Sequence, residues 1–219
     1  MGPFGHQSEH PPGEFHIPGW ALLSAILAPV SLIAGWLVAG FLQHGHYDPV
    51  QQTISVLAGH SASDRWIMTV GLYVLGTSQI LTALGLSGAR QRARILLAIG
   101  GLTGLGVAIF PQPPHGSAVT HLVFATLSVS LLAVWPAMIG SRGPSRPHIL
   151  TVRGSVQATV VFVCLLAWLY AAGHGGGALG IAERVDTAIE NSWPLVVIVA
   201  IRRHAAREAR IGAGVLALV

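Results

Sequence analysis

"GIAERVDTAIENSWPLVVIVAIRR", residues Gly180–Arg203, decides how many times this chain can cross a membrane. Only about nine residues of unbroken apolar character, Trp193–Ile201, precede the pair Arg202–Arg203. A spanning helix needs about 20. A crossing here therefore has to carry Glu183–Asn191 into its outer half. Glu183, Asp186 and Glu190 recur at i, i+3 and i+7 and so share one helix face. At a rise of 1.5 Å per residue, Glu190 lies about 10–13 Å along the helix from its outer end. A charge at that depth costs a few kcal/mol unless it is paired or hydrated, so the stripe must face the bundle interior or water. Ionisable groups at such depth point to function before structure.

Five further apolar runs surround this one: Pro18–Leu42, Trp66–Leu86, Ile95–Phe110, Ala118–Gly140 and Gly154–Ala172. The third is short and is expected to extend back into Ala93–Arg94 or to cross nearly upright. Of the 219 residues, 52% are hydrophobic and 9% charged, where soluble domains carry about 25% charged residues. The expected fold is all-α, a six-transmembrane-helix bundle with a short interfacial helix on the outer side. Residues 1–17 read as a disordered cytoplasmic tail, 18–203 as the six-helix membrane domain and 204–219 as a cytoplasmic C-terminal tail. The first segment is rich in Pro, Gly and His and lacks the basic n-region of a cleaved signal.

Orientation follows from the basic residues, twelve in all and every one an arginine. Arg90, Arg92 and Arg94 lie after the second run, and Arg142, Arg146 and Arg153 after the fourth. Arg202, Arg203, Arg207 and Arg210 follow the sixth. The alternate connections hold only Arg65 and Arg184. This asymmetry is a positive-inside signal that puts both termini in the cytoplasm. The high pI belongs to the same bias and to anionic inner-leaflet lipid, and gives no reason to expect nucleic acid. The arginine-only, Ala/Gly/Val-rich usage suggests a bacterial cell membrane.

"HGHYDPVQQTISVLAGH", His44–His60, falls on the outer side of that topology. Asp48–Pro49 is a favourable N-cap and first-turn pair, and Gln51 completes a capping-box pattern. Val50, Ile54 and Leu57 form an apolar stripe that Gly59 ends. The pattern predicts one helix over Asp48–Ala58, lying in the interface or roofing a polar pocket that Tyr47, Gln52 and Ser55 face. His44, His46, His60, Asp64, His115, His121 and His174 gather on this same side, with the carboxylates of Gly180–Arg203.

Other chemistries find no support. The chain has neither a Gly-rich phosphate loop after a strand nor a G-x-S-x-G elbow. His44-Gly45-His46 is a weak metal signal in a glycine-rich loop, no metal site is expected, and the cofactor is left unknown. Cys164 stands alone inside the fifth run, which excludes an internal disulfide. Gly100 and Gly104 read as close helix packing. The six tryptophans, mostly at run ends, read as interfacial anchors.

Four segments in order carry a resemblance: "YDPVQQTISVLA" at Tyr47–Ala58, "DRWIM" at Asp64–Met68, "IFP" at Ile109–Pro111 followed by His121, and "GIAERVDTAIENSWP" at Gly180–Pro194. They resemble the bacterial multi-pass membrane proteins grouped as domain-of-unknown-function family nine-nine-eight, over residues 18–203. The resemblance implies a six-helix membrane protein without an established activity, with Asp48, Pro49, Thr53, Ser55, His121, Glu183 and Arg184 as recurrent polar positions. More distantly, the Ser/Asp/His set is similar to that of the alkaline ceramidase and adiponectin-receptor membrane hydrolases. Those carry an HxxxH zinc motif on a late helix, and no apolar run of this chain has one.

Together these readings give a candidate site. Ser55, Asp64, His121 and Glu183 are the candidate catalytic groups; Tyr47, Asp48, Gln52, Arg184, Asp186 and Glu190 are candidate binding groups. Glu183 is expected to turn toward the His121 end of the fourth span and the Ser55 helix. Arg184 is expected to meet a carboxylate or backbone carbonyls. Three functions fit: binding or modifying a membrane lipid or isoprenoid, serving as a non-catalytic accessory subunit, or carrying protons with a substrate. A membrane-protein partner or a homo-oligomer belongs to the second.

Overall fold

The computed structural model describes residues 17–116, 118–141 and 146–216. The segment read as a disordered tail falls almost entirely outside them. Among the described residues there are seven α-helices and no strand. They are α1 (Gly19–Leu42), α2 (Ile54–Ala58), α3 (Arg65–Gly85), α4 (Gln91–Ile109), α5 (Val119–Ile139), α6 (Val152–Ala171) and α7 (Leu179–Leu216). Helices α1, α3, α4, α5 and α6 pack in sequence, and α7 inserts between α6 and α1 to close the ring.

Five of these helices are long and apolar enough to cross a membrane: α1, α3, α4, α5, and α6 with the wide turn that continues it. The protein is an all-α, multi-pass membrane bundle. α7 is the longest helix, at 38 residues, yet acids in its first half and arginines in its second interrupt its apolar run. Asp186, Glu190 and Asn191 are all buried, so the ring hides this polarity from lipid. The helix does not stop at Ile201. It runs on through the segment read as a tail, where Ala, Arg and Glu are strong helix formers and His204 pairs with Glu208 one turn on, at 3.2 Å.

α4 begins at Gln91, as the short third run required. Arg94 reaches back from it to the carbonyls of Ala83 (3.0 Å) and Leu84 (3.1 Å), filling acceptors left open at the end of α3. Glycine lets α3 and α4 approach closely. A Cβ on Gly76 of α3 would stand 2.6 Å from the Gly101 carbonyl oxygen of α4, and the converse distance is the same. Gly100 and Gly104, which the sequence marks for close helix packing, also lie at helix contacts: Gly100 beside Leu132 of α5, and Gly104 beside Gly76 of α3 and Ser128 of α5. Trp20, Trp66 and Trp168 are exposed at helix ends or on the lipid side, but Trp135 is buried and donates to the Ala93 carbonyl at 2.8 Å.

The core divides into two apolar clusters. One, around Leu86, Leu97, Trp135 and Ile198, lies toward the arginine end. The other, around Leu32, Leu57, Met68 and Leu72, lies under α2. Between them along α3, α4 and α7 stand buried Gln79, Thr103 and Asn191. A polar layer therefore interrupts the core at mid-depth.

The expected helix over Asp48–Ala58 needs correction. Residues 49–52 form a turn, Thr53 is extended, and only Ile54–Ala58 is helical. Asp48 still acts as a local cap: its carboxylate accepts from Val50 N at 2.8 Å, and its carbonyl accepts from Gln52 N at 2.8 Å. The reciprocal bond, to Asp48 N at 2.9 Å, comes from the side chain of Gln52 and not Gln51. A continuous helix would occupy the carbonyls of Pro49 and Val50 internally. Here they are turned outward, and α7 uses them.

Candidate functional site

The start of α7 is docked onto the turn at residues 47–53. Gly180 N and Ile181 N donate to the Val50 carbonyl at 2.9 and 3.3 Å, and Ala178 N donates to Gln51 Oε1 at 3.1 Å. One guanidinium nitrogen of Arg184 donates to the carbonyls of Pro49 (3.0 Å), Gln52 (3.0 Å) and Gly180 (2.7 Å). Its other terminal nitrogen donates to the Tyr47 hydroxyl, and the guanidinium carbon lies 5.8 Å from the centre of the Tyr47 ring. That hydroxyl in turn donates to the Thr53 carbonyl at 3.4 Å. Burial pushes the Tyr47 phenol above its ordinary value, against the smaller opposing pull of Arg184. It stays protonated and can serve as donor and acceptor at once.

Glu183 completes this latch from the other side. Its Oε2 accepts from Ile54 N, the first amide of α2. A carboxylate at a helix start meets amides that have no partner within the helix. Glu183 meets the Ser55 helix and Arg184 meets backbone carbonyls, as expected, whereas the expected turn of Glu183 toward His121 has no contact to show for it among the described residues. Gly180 is the position that permits it. Any Cβ there would collide with the Gln52 and Pro49 carbonyl oxygens.

Beneath α2 lies a cavity of about 70 Å³. Leu32, Leu72, Leu75, Val107, Ala125, Val129 and Leu132 supply most of its wall, and Ser55, Ser128, Glu183, Thr187 and Asn191 supply the polar part. Some of those groups are already engaged. Thr187 Oγ1 donates to the Glu183 carbonyl at 2.6 Å. Asn191 Nδ2 donates to the Thr187 carbonyl at 2.7 Å, and Gln79 Nε2 donates to Asn191 Oδ1. The hydroxyls of Ser55 and Ser128 and the second oxygen of Glu183 remain for an occupant.

The candidate catalytic groups do not form one constellation. His121 is buried, and its Nδ1 lies 2.8 Å from the Phe110 carbonyl. Asp64 sits half-buried at the N-cap position of α3 without a side-chain cap bond. Neither lines the cavity that Ser55 and Glu183 share. A nucleophile and base in working order stand within hydrogen-bond reach, and no such bond joins Ser55 to His121 among the described residues. Nor do three His, Cys, Asp or Glu side chains come together there as a metal site requires.

Asp186 and Glu190 occupy a different arc of α7. Both are buried, and all four of their carboxylate oxygens lack a hydrogen-bond partner among the described residues. At ~100° per residue the five polar positions 183, 186, 187, 190 and 191 fall within an arc of about 140°. The stripe seen in the sequence is real, but Glu183 belongs to the cavity side and the other two acids do not line it. Gln79, Ser128 and Thr187 were missed. A glutamine in the middle of an apolar span was the available signal for the first; single Ser and Thr residues in such spans carry little.

No curated protein and no solved structure matches this chain. A family model, described as Protein of unknown function (DUF998), matches residues 26–218 and takes in both halves of the latch, Tyr47–Ala58 and Gly180–Pro194. The chain belongs to that family.

Proposed function

We propose that this protein binds a neutral or cationic single-chain amphiphile, such as a long-chain or isoprenoid alcohol, in the cavity beneath α2. The lining of that cavity carries the reading. Its wall is mostly apolar, its open polar groups are two hydroxyls and a carboxylate, and it contains no cation. Arg184, the nearest cation in sequence, is turned to backbone carbonyls. Such a site accepts a donor such as an alcohol or amine and repels a phosphate. An engineered apolar cavity of about 150 Å³ takes up benzene, so a volume about half as large suits a head group and the first chain carbons. The remaining chain would leave along a helix seam. Binding is favoured over modification because Ser55, Asp64 and His121 share no hydrogen bond.

The test uses the full chain purified in detergent with farnesol and farnesyl phosphate as probes, read by native mass spectrometry. Farnesol should be retained, farnesyl phosphate should not, and Ser128→Leu should abolish retention by filling the cavity. Equal retention of both probes, or an unchanged Ser128→Leu protein, would remove the proposal. Copurification of a stoichiometric membrane protein in place of an amphiphile would favour the accessory-subunit reading.

The arrangement in the bacterial cell membrane belongs to the same proposal: six crossings, both termini cytoplasmic, and the α2 end outside. Ten of the twelve arginines fall on the other side, which supports it. In a Cys164→Ala background, cysteines replacing His115 or His174 should react with an impermeant thiol reagent in intact cells, and one replacing Pro144 should not. The reverse pattern would invert the protein. A second reading, proton or cation carriage, is favoured by the unpartnered Asp186 and Glu190 alone. It predicts that Asp186→Asn removes ion flux into proteoliposomes while leaving farnesol retention intact.

A further inference from the structure

At the end of the bundle away from α2, a groove of about 780 Å³ runs between α7 and the segment Arg146–Ile149 that leads into α6. Its α7 wall is a single helix face. Val196, Val199, Ala200, Arg203, His204 and Arg207 recur at three- and four-residue steps. That face changes character along its length. Val196, Val199 and Ala200 are apolar, and about 12 Å separates Val199 from Arg207 along the axis at 1.5 Å per residue. Pro147, His148 and Ile149 line the opposite wall with Arg146, which donates to Ser141 Oγ at 2.7 Å, and Ile149 is partly buried against the core.

The two arginines that α7 brings to this groove are not neutralised by a carboxylate among the described residues. No acidic residue lines it. The single carboxylate nearby on α7, Glu208, is bound to His204. Arg203 and Arg207 are exposed and reach no carboxylate among the described residues. Like charges four residues apart on one helix repel, so the sequence maintains an arrangement that is unfavourable until an anion arrives. An anion that also fills the apolar half must carry a hydrocarbon chain. Grooves of 300–1,000 Å³ are the size that small ligands occupy, and basic pockets between membrane helices suit anionic head groups.

We propose that this groove is a binding site for an anionic phospholipid of the surrounding leaflet, its phosphate at Arg203 and Arg207 and one acyl chain along Val196–Ala200. The site is separate from the cavity beneath α2 and selects the opposite charge. Phosphate alone would satisfy the arginines but leave the apolar wall open, and a neutral lipid would do the reverse.

The experiment presents the purified full-length protein with phosphatidylglycerol, phosphatidylcholine or inorganic phosphate and reads retained adducts by native mass spectrometry. Phosphatidylglycerol should be retained in preference to phosphatidylcholine, and inorganic phosphate at millimolar concentration should not displace it. Arg203→Gln and Arg207→Gln should each reduce retention about fivefold. Val199→Trp, which leaves the charge unchanged and blocks the apolar half, should reduce it as strongly. Arg202→Gln with Arg210→Gln removes two charges, one more than either groove variant, from exposed positions outside the groove and should leave the preference intact. Equal loss in that control, or full retention in Val199→Trp, would show diffuse attraction to a basic helix end and overturn the site. So would displacement by inorganic phosphate.

Discussion

Two stretches of α7, one to two turns apart, treat charge in opposite ways. At Glu183–Arg184 each charged side chain is met by protein groups: the Ile54 amide on one side, three carbonyls and a phenol on the other. At Asp186–Glu190 two carboxyl groups are buried with no partner for any oxygen. Both are costly to place in an apolar bundle. The first cost is offset locally, because the turn at residues 47–53 gives up its own helical hydrogen bonds to serve α7. The second is not offset by anything among the described residues. A satisfied charge in a membrane protein can be scaffold, whereas an unsatisfied one requires a ligand, a proton or water to explain its presence.

The contrast is most easily broken at Arg184. Arg184→Met keeps much of the side-chain volume and leaves the Pro49, Gln52 and Gly180 carbonyls and the Tyr47 hydroxyl short of a donor. Hydrogen bonds to charged groups contribute about 1.5–3 kcal/mol each, with sharing among acceptors reducing the sum. The expected loss is ~3–5 kcal/mol, measured by thermal or denaturant unfolding in detergent. A variant as stable as the parent would mean that the latch holds nothing, and Glu183–Arg184 would then need a functional explanation as much as Asp186–Glu190.

Gly180→Ala attacks the same latch without touching a charge. The added methyl group would press on the Gln52 and Pro49 carbonyl oxygens, which belong to backbone already fixed by Arg184. Overpacking of this kind costs about 1–3 kcal/mol. The α7 start should lift from the turn, so amide exchange at Gly180, Ile181 and Ile54 should accelerate while α3 and α4 stay protected. Uniform acceleration throughout the bundle would indicate that the latch is not a local unit.

The sequence made the bundle legible because apolar run length alone identifies spanning helices, and five of the six runs passed into helices with ends shifted by a few residues. It also made Glu183, Arg184 and the Tyr47–Ala58 segment visible as unusual polar material. What it could not show was that those two motifs are halves of one structure. Capping signals at Asp48 and Gln51 are local, and locally they favour a helix. The competing use of the Pro49 and Val50 carbonyls comes from α7, about 130 residues later. Likewise a histidine, a serine and an aspartate on one side of the membrane suggested a shared site, yet His121 bonds to the Phe110 carbonyl and does not line the cavity. Shared depth is not shared direction.

A smaller effect separates the roles within the latch. Tyr47→Phe keeps the ring under Arg184 and removes the hydroxyl that accepts from it and donates to Thr53, at an expected cost of about 0.5–1.5 kcal/mol. Its pH dependence has a definite sign. The folded phenol lies above its ordinary value because it is buried. The protonated form is therefore favoured in the fold, and its stabilisation is complete below the unfolded value near ~10. It declines as pH rises through the folded value. The stability gap between the parent and Tyr47→Phe should narrow above about pH 10. A gap that widens there would mean that the phenolate gains more from Arg184 than it loses by burial.

The smallest stability change is expected where the burial is deepest. Glu190→Gln conserves shape and removes only the ability to ionise, and there is no hydrogen bond to lose because neither oxygen has a partner. Its amide comes to lie one helical turn from the Asp186 carboxylate, where such a pair gains ~0.2–0.5 kcal/mol. Unfolding of Glu190→Gln should therefore differ from the parent by less than about 1 kcal/mol, and farnesol retention should persist. If the pair carries protons or a cation, flux into proteoliposomes should disappear in this same well-folded protein. A fall in stability comparable to that of Arg184→Met would show that Glu190 has a partner after all, and the two halves of α7 would no longer differ in kind.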